Sequence, residues 1–377
     1  MNRIYFDNAA TTALDSEVLA EMMPYLSEKF GNPSSIYSYG RETKQAIENA
    51  RKKVAKILNA EPGEITFTSG GTESTNTAIN AAINDLACKH VISSPIEHPA
   101  TLRNVEFLAA SGKARVSWVK LTANGHIDLA DLEQLLAQAT EKTLVTLMHA
   151  NNEIGNLLDL KAASEICIKY QAVFHSDMVQ TVAHYPIDLK NTYIHFISGS
   201  GHKFHGPKGV GILYVKNDKQ IQPLVRGGSQ ERNMRGGTEN LYGIVGFGKA
   251  LELADGRMKA DSEYIQGIKT YMTGQLKAHF PGICLNGDTE GRSLYTVINA
   301  SFPKSEKTDM LLFNLDMAGV CVSGGSACSS GATSVSHVIK ALHQEDANNH
   351  VPIRFSFSRH STMQEVDQVI DILKKSI

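Results

Sequence analysis

Ser198-Gly199-Ser200-Gly201-His202-Lys203-Phe204-His205-Gly206-Pro207-Lys208-Gly209 is the stretch from which the rest of the chain can be read. An apolar run, Tyr193-Ile194-His195-Phe196-Ile197, comes just before it and reads as a buried strand. Lys203 therefore sits where a strand gives way to a glycine-rich loop. Lysine is rare in protein interiors unless it is paired or reactive. A desolvated lysine amine is a nucleophile that condenses with an aldehyde. A surface lysine in a flexible loop would look the same locally, so the surroundings have to decide.

Six more strand-like runs lie on either side: Glu64 to Phe67, His90 to Ser93, Val116 to Val119, Leu144 to His149, Val173 to Ser176 and Val210 to Val215. Helix-like segments such as Ala46 to Leu58, Leu129 to Ala137 and Ala162 to Lys169 fall between them. This alternation predicts an α/β domain with a mostly parallel seven-stranded sheet, ending near residue 255. A long helical pattern runs from Leu241 towards Ala278, with a break expected near Gly256. Leu294 to Phe302, a helix at Met310 to Ala318, a loop around Cys328 and a helix from Met363 then predict a smaller α+β domain.

Three further elements fit an aldehyde cofactor on Lys203, pyridoxal 5'-phosphate (PLP) being the example. Its pyridine nitrogen needs an acidic partner, and Asp177 ends an apolar run at a strand's C-terminal end, where open α/β sheets hold ligands. Its phosphate needs donors at a helix N-terminus. The run Thr68-Ser69-Gly70-Gly71-Thr72-Glu73 follows a strand and precedes a helix-like segment, Asn76 to Ile83. Its ring needs a flat neighbour, and His98 in Ile96-Glu97-His98-Pro99 is a candidate. Taken singly, each has an ordinary alternative: an N-cap, a solvated Asp, a packed His.

In order and spacing the chain resembles the NifS/IscS-type cysteine desulfurases, in the class V aminotransferase group of fold-type I PLP enzymes. The resemblance rests on Tyr5-Phe6-Asp7-Asn8-Ala9-Ala10-Thr11-Thr12, Gly31-Asn32-Pro33-Ser34-Ser35, the TSGGTE run, Glu97-His98 and Asn151-Asn152-Glu153-Ile154-Gly155. It continues through Asp177 with Gln180, the Lys203 loop, Gln230 to Thr238, Ser326-Ala327-Cys328-Ser329-Ser330-Gly331 and Ile353-Arg354-Phe355-Ser356. It implies a PLP-binding domain of residues 13–255 and a small domain of residues 1–12 plus 256–377. It also implies a cofactor shell of Gly71, Thr72, His98, Asn152, Asp177, Gln180, Ser200, His202 and Lys203. Thr238 would reach the phosphate of a neighbouring subunit, which implies a homodimer. Arg354, with Asn152, would hold the carboxylate of L-cysteine, and Lys203 and His98 would carry protons. Cys328 would take the sulfur as a persulfide and pass it to an acceptor protein such as an iron–sulfur scaffold. Departures are Gln230 where many relatives carry histidine, Ser358 for glycine and Gly71 for alanine. The C-terminus is short, so scaffold docking through a C-terminal extension is not expected.

Composition narrows the alternatives. With 37 basic and 39 acidic residues the net charge is −2, which gives no electrostatic case for nucleic acid or an anionic membrane. The N-terminus has no long apolar run and no segment approaches a bilayer span, so a cytoplasmic protein is expected. No GxGxxG links a strand to a helix, and His202 and His205 lack further ligands at metal spacing, so no metal is expected. Five cysteines are an odd number for a disulfide framework. Cys328 lies in Ser323-Gly324-Gly325-Ser326-Ala327-Cys328-Ser329-Ser330-Gly331, poor in anchoring side chains, whereas Cys321 in Val320-Cys321-Val322 suits packing. A selenocysteine lyase would keep the Lys203 constellation, a class V aminotransferase would not need Cys328, and a non-enzymatic sulfur carrier would leave Lys203 and Asp177 unexplained.

Overall fold

A computed structural model of the chain describes residues 3–217, 220–324 and 335–377. Cys328 lies outside the described residues. The chain opens with strand β1 (Ile4–Tyr5), followed by helices α1 (Ser16–Ser27) and α2 (Ser38–Ile57). The central sheet is built from β2 (Ile65–Thr68), β3 (His90–Ser93), β4 (Arg115–Trp118), β5 (Thr143–Thr146), β6 (Val173–Asp177), β7 (Phe196–Ser200) and β8 (Gly211–Val215). Its order is β2-β8-β7-β6-β5-β3-β4, with β8 antiparallel to both neighbours and the other pairs parallel. Helices α3 (Gly71–Asn84), α4 (Pro99–Ala110), α5 (Leu129–Ala137) and α6 (Leu160–Lys169) connect the strands. Strands covered on both faces read as unbroken apolar runs, and β2, β3, β5, β6, β7 and β8 are buried throughout, whereas the edge strand β4 is partly exposed.

Because β8 reverses between β2 and β7, six strands point the same way. Thr68, Asp177 and Ser200 therefore share one edge of the sheet, the carboxyl edge where α/β sheets bind ligands. The strand expected at Leu144 to His149 stops at Thr146, yet the amides of Leu147 and His149 still donate to the carbonyls of His175 and Asp177, at 3.2 and 2.9 Å. The backbone thus follows β6 to the edge without regular pairing.

Helix α3 begins at Gly71, five residues before the expected Asn76. Its polar residues are accommodated by side chains bonding back to the preceding turn: Asn76 Nδ2 to Thr72 O at 2.9 Å and Thr77 Oγ1 to Glu73 O at 2.8 Å.

The expected break at Gly256 is absent. Helix α7 runs unbroken over Leu241–His279. A lone helical glycine costs about 1 kcal/mol relative to alanine, and here both ends of the helix are anchored. Leu241, Ile244, Phe247 and Leu251 belong to the core around the large sheet, and Ile265, Ile268, Met272 and Leu276 to a second core. A side chain at Gly256 would meet nothing within 4 Å, so no packing strain accumulates there either.

The second core is closed by β9 (Cys284–Leu285), β10 (Val297–Pro303), α8 (Leu311–Met317), β11 (Val320–Cys321), β12 (His350–Ser356) and α10 (Met363–Ser376), while α9 (His337–His343) packs in a separate cluster with Ile96 and Ile154. Strands β12-β10-β9 form an antiparallel sheet. β1 pairs with β11, which seats Ile4 and Phe6 in this core. Beyond them the N-terminal segment crosses to the large sheet: Ala9 N–H donates to Ser356 Oγ at 2.8 Å and Thr12 N–H to His202 O at 2.9 Å.

Candidate active site

Strand β7 ends at Ser200 and the chain turns through Gly201–Lys203, a single 3-10 turn. Lys203 Nζ donates to the carbonyls of Ala9 and Ala10 at 2.6 and 2.8 Å. The N-terminal crossing therefore lies against the lysine, and Ala9 and Ala10 join it in lining a cavity of about 250 Å³ at the carboxyl edge.

Asp177 and His98 line the same cavity. Asp177 Oδ1 accepts the Val179 N–H at 3.0 Å. Burial holds the carboxyl pKa above its ordinary value, although the nearby His98 and Lys203 pull the other way. A cationic ring N–H placed against it would relieve that desolvation. His98 caps α4: its Nδ1 accepts the Ala100 N–H at 3.1 Å. Nδ1 is thus an acceptor, and burial lowers the ring pKa, so the neutral ring carries its proton on Nε2.

At the opposite wall, Gly71 and Thr72 open α3. Gly70 precedes them at φ 152° and gives no side-chain cap, so the helix presents first-turn amides at the cavity rather than to a capping oxygen. Ser200, Gln180 and His202 complete this side. Gln180 Nε2 donates to Ala9 O at 3.1 Å, and His202 Nδ1 lies 3.2 Å from Thr11 Oγ1. Burial, with Lys203 and Lys208 nearby, lowers the His202 pKa to about 4. His205 turns away, bonding Ala13 O at 2.9 Å. Among the described residues no group of His, Cys, Asp and Glu is arranged to hold a metal.

Arg354 enters from β12 and Asn152 from the loop after β5, so the cavity lies between the two cores. The guanidinium is buried. Nη2 donates to Asp7 Oδ1 at 2.8 Å and Ser323 Oγ at 3.2 Å, and Nη1 to Asn152 O at 2.9 Å. Nε is buried without a hydrogen-bond partner among the described residues. An unpaired buried donor costs about 1–3 kcal/mol.

Thr238 is not brought to this cavity. It lines a separate one of about 150 Å³ with Ser69, Arg235 and Gly237. Several wall residues had no role assigned from sequence: Ala9, Ala10, Met148 and Val179 line the cavity, and Asp7 orients Arg354. Glu97 Oε1 accepts the Met148 N–H at 2.8 Å, and burial raises its pKa well above the ordinary value. A polar Asp7 directly after the apolar Ile4-Tyr5-Phe6 was the available signal. Cys321, expected to be packed, is half-buried in β11. Cys88, Cys167 and Cys284 have thiol pKa values raised by burial, to about 11 and about 12 for the first two.

This architecture and the chain's sequence match known proteins along their whole length. The class V aminotransferase family matches residues 4–369. The chain belongs to that family, among the NifS/IscS cysteine desulfurases. "Cysteine desulfurase IscS" of Dictyoglomus turgidum is 43% identical over 376 residues, covering 99% of this chain and 94% of the relative. A solved NifS-like protein superposes with a TM-score of 0.91 at 34% identity, covering 99% of this chain and 98% of its own. SspA, solved in complex with cysteine, gives 0.83 at 30% identity and covers 95% and 100%. The family is one of fold-type I PLP enzymes, and this chain is an enzyme of that class.

Proposed function

We propose that this enzyme removes sulfur from L-cysteine, leaving L-alanine and a persulfide on Cys328. The observation that carries the proposal is the meeting of Lys203, Asp177 and Arg354 around one cavity. PLP fits these residues: Lys203 for its aldehyde, Asp177 for its ring nitrogen, His98 for its ring face, Gln180 for its phenolic oxygen, and Gly71, Thr72, Ser200 and His202 for its phosphate. Bound there, the cofactor supplies an electron sink for the substrate's Cα carbanion.

The chain's own groups do the rest. Arg354 and Asn152 hold the substrate carboxylate, and Asp7 and Ser323 fix the guanidinium plane. Lys203 Nζ takes the Cα proton as general base and His98 Nε2–H is a second carrier. The Cys328 thiolate attacks the substrate sulfur. The carbon–sulfur bond breaks with its electron pair staying on carbon, which gains a proton and becomes the alanine methyl group. A sulfur–sulfur bond forms on Cys328. The cysteine sulfur is oxidised, the carbon is reduced, and no outside oxidant is needed.

The domain division at residues 13–255 and 1–12 plus 256–377 is supported by the two apolar cores that share α7. A homodimer is supported by Thr238, which faces a cavity away from Lys203, and by the exposed apolar run of Phe30, Ile36, Tyr37 and Tyr39. The sulfur acceptor is a thiol- or cluster-bearing protein such as an iron–sulfur scaffold. A reducing cytoplasm, which keeps a thiol like Cys328 free, is the compartment proposed. No helix among the described residues is long and apolar enough to cross a membrane. The test is to incubate purified enzyme with L-cysteine and a reductant. Alanine and sulfide should appear in equal amounts. Alanine without sulfide, or neither product, would contradict the proposal.

A further inference from the structure

Lys203 is held through its backbone as well as through its amine. His184 Nε2 lies 3.2 Å from the Lys203 carbonyl oxygen, and His184 Nδ1 lies 2.9 Å from the Tyr295 hydroxyl. A carbonyl only accepts, so Nε2 must donate. Burial lowers the His184 pKa, so the ring is neutral and Nδ1 is an acceptor. The Tyr295 phenol pKa is raised, chiefly by burial, so its hydroxyl keeps its proton, with His184 Nδ1 at 2.9 Å as its nearer acceptor and the His184 carbonyl at 3.3 Å as its second. Both hydrogen bonds therefore select the same tautomer. His184 follows β6 in the large-sheet half, whereas Tyr295 is part of the second core. The next carbonyl back, His202 O, is held separately by Thr12 N–H and Oγ1, each at 2.9 Å.

We infer that His184, oriented by Tyr295, is a positioning residue for Lys203, fixing the backbone from which the reacting amine leaves the cofactor and returns to it. Lysine reaches its target through a flexible four-carbon stem. Detached, Nζ can rest on the Ala9 and Ala10 carbonyls, but those contacts do not fix the point from which the stem swings back. The backbone anchor does, and reacting groups displaced by 1 Å can lose about 100-fold in rate. Tyr295 makes that anchor depend on the contact between the two cores. The inference rests on Lys203 being the amine that binds PLP.

The test uses the holoenzyme. Mixing with L-alanine and then diluting lets Lys203 leave and rejoin the cofactor, followed by visible absorbance in a stopped-flow instrument. His184→Leu keeps bulk and removes the donor; it should slow the return about tenfold or more while KM for L-cysteine stays within about threefold. His184→Gln can reach the same carbonyl with its amide and should return within about threefold of wild type. Tyr295→Phe removes only the hydroxyl and should slow the return about threefold or more, which gives a readout if His184→Leu does not fold. A wild-type return rate in folded His184→Leu, or in Tyr295→Phe, would overturn the inference. Borohydride fixation of PLP on another residue would remove Lys203 itself. Fixation on Lys203 with an unchanged return rate would remove only the role of His184.

Discussion

A Cβ placed on Gly71 would lie 2.5 Å from Cγ2 of Val179. Real carbon atoms do not approach that closely, and a β-branched valine has little rotamer freedom with which to withdraw. Gly71 opens α3 and Val179 follows Asp177, so the two residues join the wall proposed to hold the phosphate to the wall proposed to hold the ring nitrogen.

Gly71→Ala should therefore weaken PLP binding, although alanine is the better helix former. Overpacking costs about 1–3 kcal/mol, or roughly 5- to 150-fold in affinity. Val179→Ala in the same chain should recover most of the loss. PLP titration of the two single variants and the double variant, read as a cycle, measures the coupling. Additive effects would mean that the two side chains do not compete for space.

Arg354 is oriented by Asp7 at 2.8 Å, so loss of the carboxylate should disturb substrate binding rather than chemistry. Asp7→Asn should raise KM for L-cysteine with kcat within about threefold, a change of under 1 kcal/mol. Arg354→Ala removes a charged hydrogen-bonded pair with substrate and should lower kcat/KM by roughly 30- to 160-fold, equivalent to about 2–3 kcal/mol. Retention of full kcat/KM by Arg354→Ala would assign the arginine to structure alone.

Stability should fall as the solution is acidified. Burial lowers the pKa of His90, His149 and His205 to about 4 and of His175 to about 3, from 6.5. Between those values and 6.5 the unfolded chain binds more protons than the folded one. Stability is thus full above about 6.5 and is lost towards about 4, each group contributing a slope of up to about 1.4 kcal/mol per pH unit. Glu97, Glu153 and Asp177, whose pKa values are raised by burial, act in the opposite sense above the ordinary carboxylate range. Carboxylates with lowered values, such as Asp15 and Glu48, add to the histidine trend at its acid end. The melting temperature should drop between pH 7 and pH 5, and His90→Gln should reduce that drop. A flat profile, or no change in His90→Gln, would contradict this assignment.

The sheet was legible because every strand but the partly exposed edge strand β4 is buried and reads as an apolar run, and because Asp177 and Ser200 end β6 and β7 on one edge. The start of α3 was not legible. Polar residues such as Asn76 and Thr77 look like loop, and only their bonds to the preceding turn keep them helical. Gly256 suggested a break because local propensity cannot reveal two cores holding one helix. Lys203, Asp177 and His98 stood out by residue type and position, and Arg354 through the family resemblance. Asp7, Val179, His184 and Tyr295 did not, because their parts arise from contacts across long stretches of chain.

The central claim, that Cys328 receives the sulfur, is tested most directly by mass spectrometry of the intact enzyme after brief exposure to L-cysteine. Serine at that position is nearly isosteric but a poor sulfur acceptor at neutral pH. Wild type should gain one sulfur atom, mapped to Cys328 and removed by reductant. Cys328→Ser should gain none and release almost no alanine while still binding PLP. Extra sulfur confined to Cys321 or another cysteine, or normal turnover of L-cysteine by Cys328→Ser, would contradict the account.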